Sequence, residues 1–539
     1  MKKEEASDGS RAPILPVIRE IWGLFREDRG LLLFVLLVNL LGAALTGIGD
    51  PLSLKLLIDS LSRSDKSFFL VLTGVMILVY TSFRLVNYVS DLYSQKLRNR
   101  LCQRLVLQLM EKVFRLPYQR LINKEREYFI ARCYDEPVKV MEAVRLIVDL
   151  FASLAIATCA TAVCLFISWK VSLIVSLIVP VLVLLSRRFG SKIREISLHE
   201  TESEAQLREG LGRSIDSYKN VRLLGRRSYV LDVSDRLLDV FLRRTYRRHH
   251  QAALFRTWSD TFLSSAETTV MIVAGFQVLQ GSLTIGGLFG FISAYWRVVN
   301  AFHSLGSLVP AIAEVGAQLQ RIQEIREAPE VVAERSRGGK KWSLRNLSVG
   351  YGEGPAVIDA FDFEWSPGER VLITGANGSG KSTIAHVLAG FLEARDGMTH
   401  LPGIAATSAV LSPPAFLPGT LQDNLGHASD ESQMQNLLNR FGLSDKLAQD
   451  PISFSDGEKK KAQIIMALLK DAESYIFDEP LANVDQESKE VIMNEILGRT
   501  EKRGLIVIMH GDERYRASFD RVLDLGPGIR AHSSESRSA

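Results

Sequence analysis

Residues 375–383 read GANGSGKST. The stretch fits G-x-x-x-x-G-K-[ST], a loop whose glycines let backbone N–H groups close around phosphate oxygens. It follows an apolar run, ERVLIT (369–374), and opens TIAHVLAGFL (383–392), which has the length and composition of a helix. The motif carries meaning in that strand–loop–helix setting, because the helix N-terminus adds a positive field at the loop. Lys381 is then expected to reach the β- and γ-phosphates, and the Ser382 hydroxyl to hold Mg2+. Gly375, Asn377, Gly378, Ser379, Gly380 and Thr383 complete the cradle, and the cofactors implied are ATP and Mg2+.

About a hundred residues downstream, SYIFDEP (474–480) reads as a buried strand ending in two carboxylates. Alone, such a pair is usually a solvated strand end; after a phosphate loop it acquires two roles. Asp478 suits the magnesium, and Glu479 suits polarising an attacking water as general base. GLIVIMH (504–510) ends a further apolar strand with His510, in reach of a γ-phosphate. Between them, ISFSDGEKKKAQIIMALLK (452–470) begins with Ser455-Asp456-Gly457, a helix-start signal, and continues as a helix.

Upstream, the composition changes. The 539 residues carry 65 basic and 61 acidic side chains, so the balance gives no reason to expect nucleic acid as partner, yet 47% are hydrophobic. Most of that apolar material precedes residue 310. A membrane span needs about 20 apolar residues, and six segments qualify: 30–49, 69–89, 146–168, 171–188, 258–280 and 284–306. Asp260 and Glu267 interrupt the fifth. Twelve Lys/Arg fall in 91–145 and sixteen in 187–256, whereas the short joins near 169–170 and 281–283 hold only Lys170. The positive-inside rule therefore puts both long loops and both termini in the cytoplasm. Ile14, Ile18, Ile21, Trp22 and Phe25 recur at helical spacing, as in an interfacial helix or one packed on protein. No apolar segment with a cleavage site follows the polar N-terminus, so a removable signal peptide is not expected. The cysteines (102, 133, 159, 164) have no CxxC spacing and support neither a disulfide framework nor a zinc site. The charged text IREAPEVVAERSRGGKKW (325–342) divides the halves, giving an expected N-terminal segment (1–29), a membrane domain (30–325), a linker (326–341) and a nucleotide domain (342–539) in which short strands alternate with helices.

With these motifs on the page, FSDGE (454–458) followed by a basic helix resembles the LSGGQ signature of ATP-binding cassette (ABC) transporters. The order of phosphate loop, signature, DEP strand, ANVD turn (482–485) and His510 is similar to that family throughout. The six-span half resembles its exporter branch. What the resemblance implies is a six-span, type I exporter bundle of membrane α-helices plus an α/β P-loop NTPase domain, acting as an ATP hydrolase that drives export. Tyr351, in LSVGYGEG, would stack on adenine; Ser455, Gly457 and Glu458 of the signature and Asp485 of the turn would meet the ATP of a second subunit. A homodimer is the simpler partner reading, one half of a heterodimer or a lipid flippase the alternatives, and the bacterial cytoplasmic membrane the expected location. Helices near Asn123–Cys133 and Ile215–Leu224 would carry motion to the spans.

The sequence departs from the family in five places, one of them the short segment between Gly442 and Phe454. Phe454 starts the signature, Asp456 stands where glycine is usual, Met466 where arginine is usual, and VLSPPAFLPGT (410–420) resembles the family's glutamine-bearing loop with Ser412 in the glutamine's place. Its shorter hydroxyl is expected to reach the metal only through water, slowing hydrolysis or loosening coupling. Charged and polar groups within spans are functional candidates: Glu267, Tyr295, Trp296, Arg297, Asn300 and His303, with Arg84 nearby, are expected to line the substrate path for a polar, amphipathic or peptidic cargo. Glu267 and Arg297 could pair across it or simply lock two helices. A membrane-bound ATP-gated regulator with little turnover is the rival of another class, and the presence of Glu479 and His510 argues against it.

Overall fold

Apolar runs of the first half become long helices, which satisfy every backbone group within one segment inside hydrocarbon. The computed structural model describes residues 14–62, 66–331, 341–352, 354–426, 431–510 and 513–526; the side chains of 14–18, 174–195, 198, 201, 309 and 310 lie outside the described residues. The chain divides into two units. One comprises Met1–Leu107 and Cys133–Gln323; the other comprises Gln108–Arg132 and Glu324–Ala539. The tip of the first long loop thus belongs to the nucleotide unit, whereas the sequence had put it within the membrane half.

In the first unit, five helical stretches among the described residues are long and apolar enough to cross a membrane: Arg29–Ser62, Lys66–Phe114, Arg126–Ile167, Arg227–Leu279 and Ile285–Arg326. The interrupted span at 258–280 falls on the fourth of these, ending at its C-cap Gln280. The expected span at 171–188 falls on the helix Trp169–Asp216, most of it at side chains outside the described residues. Ser168 breaks the chain between two helices, accepting from Val171 N and donating to Gln277 Oε1 at 2.9 Å. Small residues let the helices approach closely: Ala160, Ala266, Ala274 and Ala294 surround the fully buried Phe291 and Tyr295. Large apolar side chains such as Leu37, Leu70, Leu78, Phe166 and Leu279 stay exposed, which suits a lipid-facing surface. Near the N-terminus the helix Ile14–Leu24 buries Ile21 and exposes Trp22, and Phe25 is buried just past its end; Ile14 and Ile18 carry side chains outside the described residues.

The second unit contains two sheets. β1 (Trp342–Val349), β2 (Ile358–Trp365) and β4 (Asp396–His400) form an antiparallel sheet in the order β2-β1-β4. β3 (Arg370–Gly375), β5 (Thr407–Val410), β6 (Ser474–Asp478), β7 (Gly504–Ile508) and β8 (Arg521–Leu525) form a parallel sheet in the order β5-β6-β7-β3-β8. Successive strand residues point to opposite faces. Val371, Ile373, Ile476, Ile506 and Ile508 enter one core with Trp342, Trp365 and Ile384, while Leu372, Phe477, Leu505 and Val507 enter another with Ile465, Leu468 and Met493. Covering on both faces explains why ERVLIT and GLIVIMH are nearly continuous apolar runs. Both strands end at one edge of the sheet, where the polar motifs follow them.

Candidate functional site

The phosphate loop leaves β3 at Gly375, whose φ of 149° lies where other residues are strained; a Cβ there would come within 2.6 Å of the Leu525 carbonyl. The loop then enters the helix Lys381–Leu388. Lys381 is buried and folds back, donating to the carbonyls of Gly375 at 3.0 Å and Ala376 at 2.8 Å. Its ammonium is thus held by two peptide carbonyls of the loop itself. Tyr351, just past β1, has its hydroxyl 3.2 Å from Thr383 Oγ1, and its ring is partly exposed beside the loop.

The carboxylates stand at the adjoining strand end. Asp478 is 1% exposed, and neither carboxylate oxygen has a hydrogen-bond partner. Burial pushes its pKa up, the neighbouring Ser382 hydroxyl opposes that shift, and Glu479 adds to it. A buried, unpartnered carboxylate next to an exposed serine hydroxyl fits a divalent cation, which would satisfy both oxygens. The next residue turns out of the strand: Glu479 has φ +51°, an uncommon value for a residue bearing a side chain. Its N–H is held by the Ile508 carbonyl at 2.9 Å. Glu479 Oε1 then lies 3.8 Å from His510 Nε2, both side chains partly exposed. Asp478 and Glu479, at the end of one strand, and His510, just past the end of the next, thus meet at one corner.

The signature is built as a helix cap. Ser455 is the N-cap of Asp456–Leu469, and its hydroxyl and N–H both meet Glu458 Oε2, at 2.8 and 2.9 Å. Lys446 also pairs with Glu458, and with the cap it draws that carboxyl down to about 2. Glu458 therefore serves its own helix in this chain. Gly457 sits against the 482–485 turn, where a Cβ would be 2.8 Å from the Asn483 carbonyl. Asp485 caps the next helix, Gln486–Arg499, accepting from Ser488 N at 2.9 Å; that bond and its neighbours draw its carboxyl down to about 2.

Two groups escaped the sequence reading. Lys460, on the signature helix, is 5% exposed and donates to Ser412 Oγ and to the Asp478 carbonyl, each at 3.2 Å. Ser412 is therefore engaged by a cation. A cleft of about 500 Å3 opens beside it, lined by Ser412, Phe416, Asp456, Lys459, Lys460, Glu479 and Asn483 among others. The second is His386, one turn after Ser382: its Nδ1 lies 2.6 Å from the Ser382 carbonyl and its ring stacks on Tyr118. Tyr118 begins the short helix Tyr118–Ile122, followed by Arg126–Ile130. These occupy the expected 123–133 region and begin before it. Gln119 Nε2 adds a bond to the Glu393 carbonyl at 3.4 Å. A buried histidine or lysine has no periodicity to betray it, so neither stood out in the sequence.

In the membrane unit, Arg297 pairs with Asp50, at the start of the helix Asp50–Ser62, instead of Glu267. Glu267 accepts from Trp296 Nε1 at 2.7 Å. Tyr295 is fully buried among packed helices, its hydroxyl on the Leu263 carbonyl at 3.3 Å, and so is a packing residue where a path-lining one was expected. Asn300, His303 and Arg84 are exposed. Asp50 was missed because it follows the apolar run at 30–49 and reads there as the end of a span.

Comparison with known proteins agrees with this architecture. Residues 32–301 match the family model described as the ABC transporter transmembrane region, and residues 358–482 match the model described as ABC transporter. The chain is 25% identical to an ATP-dependent lipid A-core flippase of Neisseria meningitidis serogroup A over 66% of its length; the match spans 62% of that relative, less than two thirds. It is 25% identical to the protein of the same description from Burkholderia orbicola, over 97% of this chain and 93% of that one. A solved bacterial Atm1-family ABC exporter with ATP bound shares its fold, with a TM-score of 0.73, 17% identity, and coverage of 92% of this chain and 93% of the other. The chain belongs to the ABC transporter family, with a transmembrane region and an ATP-binding cassette in one polypeptide.

Proposed function

We propose that this chain is one half of an ATP-driven exporter of the bacterial cytoplasmic membrane. It works as a dimer of identical copies and moves an amphipathic cargo with an anionic, polar headgroup by alternating access. The observation that carries the hydrolytic part is the buried, unpartnered Asp478 carboxylate beside Ser382, with Glu479 and His510 at the same corner.

Asp478 and Ser382 would hold Mg2+, which when bound neutralises charge on the β- and γ-phosphates. Lys381 leaves the carbonyls of Gly375 and Ala376 for those phosphates, and Tyr351 stacks on the base. Glu479 takes a proton from the water that attacks the γ-phosphorus, and His510 steadies the γ-phosphate and Glu479 together. ADP leaves with the displaced oxygen. Each chain has one phosphate loop and one signature, which supports a pair of copies in which Ser455 and Gly457 close over the partner's nucleotide. Ile215, Tyr218, Leu223 and Leu224, around the short helix Tyr218–Leu223, are exposed in the single chain and support the same reading. Support for the cargo comes from Arg297 with Asp50, from the exposed Asn300 and His303, and from the lipid A-core flippases to which the chain is similar.

Purified chain in lipid nanodiscs tests this. We expect Mg2+-dependent ATP hydrolysis, abolished by Glu479→Gln and stimulated by lipids bearing phosphorylated sugar headgroups. Stimulation by peptides alone would overturn the cargo reading. Hydrolysis only after mixing with a second, different half would overturn the homodimer, and a wild-type chain without turnover would overturn the exporter reading.

A further inference from the structure

We propose that Lys460 is a positioning residue for hydrolysis: it ties Ser412 to the peptide unit that aims Glu479. The inference rests on reading this corner as an ATPase site. Glu479 leaves β6 at φ +51°, so the direction of its side chain depends on how the 478–479 peptide plane is fixed. That plane is held at both ends. The Asp478 carbonyl accepts from Lys460 Nζ at 3.2 Å, and the Glu479 N–H donates to the Ile508 carbonyl at 2.9 Å. The second bond belongs to the sheet and cannot report on anything outside it. The first is supplied by another element, the signature helix.

The same ammonium donates to Ser412 Oγ at 3.2 Å. Ser412 opens the 412–420 loop, which in this chain carries no glutamine to reach the site by itself. A displacement of the loop therefore pulls on Lys460, and a displacement of Lys460 tilts the peptide that orients Glu479. Lys460 is 5% exposed, so these bonds compete little with water and hold their geometry well. The neighbouring Lys459 lines the same cleft without such bonds to the strand end, which separates the role of Lys460 from a merely basic helix face. The signature helix, the loop and the hydrolytic strand meet at one nitrogen.

The test uses the full chain in nanodiscs with Mg2+ and ATP. Lys460→Met is expected to lower kcat by about ten- to a hundredfold, as for loss of a hydrogen bond from a charged group, while KM for ATP stays within about threefold. In a Glu479→Gln background the same substitution adds little, because it acts through Glu479. Lys460→Gln, a shorter donor, should fall between. Ser412→Ala, at an exposed position, should lower kcat severalfold and make no further difference once Lys460 is methionine; it carries the test if Lys460→Met does not fold. Hydrogen exchange in nucleotide-free protein gives a readout independent of turnover: Lys460→Met should speed exchange in 478–484 and leave 371–376 unchanged. Equal loss with and without Glu479, an unchanged kcat, or unchanged exchange in 478–484 would overturn the inference. A wild-type chain lacking Glu479-dependent hydrolysis would instead sink the ATPase reading, and the exchange data would still decide the role of Lys460.

Discussion

Tyr118 and His386 stack with ring centroids 5.4 Å apart and planes within 13° of parallel. His386 also lies 2.6 Å from the carbonyl of Ser382, the residue after the phosphate-loop lysine. Tyr118 additionally packs against Phe391, so one aromatic ring from the loop tip touches both the helix that follows the phosphate loop and the turn after it. A contact of this sort contributes about 0.5–1.5 kcal/mol beyond its buried area.

Tyr118→Ala is therefore expected to leave KM for ATP within about twofold and to lower the cargo stimulation of hydrolysis several times over. His386→Ala should do the same. Basal and stimulated ATPase rates in nanodiscs check this; full stimulation in both variants would rule out a coupling role for the stack.

Glu479→Gln should reduce kcat by about a hundredfold or more, the range for loss of a general base, while nucleotide still binds. His510→Ala should cost less, because His510 meets Glu479 at 3.8 Å and holds no proton of the water itself. Single-turnover hydrolysis, together with equilibrium binding of labelled ATP, separates the two effects.

Glu458 carries the pH dependence of the signature cap. Its folded carboxyl is held at about 2 by Lys446 and then by Ser455, below the ordinary 4.5. A depressed carboxyl stabilises the folded state fully above its unfolded value, and the gain fades as pH falls toward the folded one. The melting-temperature difference between wild type and Glu458→Gln should be constant from pH 7 to about 5 and shrink steadily below about 4.5. A difference that grows on acidification would contradict this origin.

Asp50→Asn should destabilise the membrane unit more than the pair of substitutions Asp50→Asn with Arg297→Gln. Breaking one side of a buried ion pair strands the other charge; here the side chains are 18% and 26% exposed, so about 1–3 kcal/mol is expected. Yield and thermal stability of the folded chain measure it. Transport per folded molecule then shows whether the pair also faces cargo.

The parts legible in the sequence were those with short-range signatures. GANGSGKST, SYIFDEP and FSDGE each carry their meaning within a few residues, and the apolar runs of β3, β6 and β7 fit strands that enter a core on each face. What stayed hidden was partner choice between distant segments. Arg297 lies 247 residues from Asp50 and Tyr118 lies 268 from His386, and no periodicity specifies which far residue a charge or ring will meet. Glu267 was the nearer acidic candidate for Arg297; Trp296, beside it on the same helix, took that carboxylate instead. Lys460 was read as one of three lysines on a basic helix, since only folding shows which of them is buried.

The nucleotide unit includes 108–132 as well as everything from Glu324 onward. Lys112 pairs with Glu330 at 2.8 Å, and the Val331 N–H bonds the Arg115 carbonyl at 2.9 Å, so the inserted tip is stitched to the segment that leads into β1. Modularity in this protein consequently does not follow the order of the chain. A cassette excised at the linker would leave the His386 and Phe391 surface bare, and a cassette exchanged with that of a relative would meet a foreign tip. Grafting should succeed only when residues 108–132 travel with it.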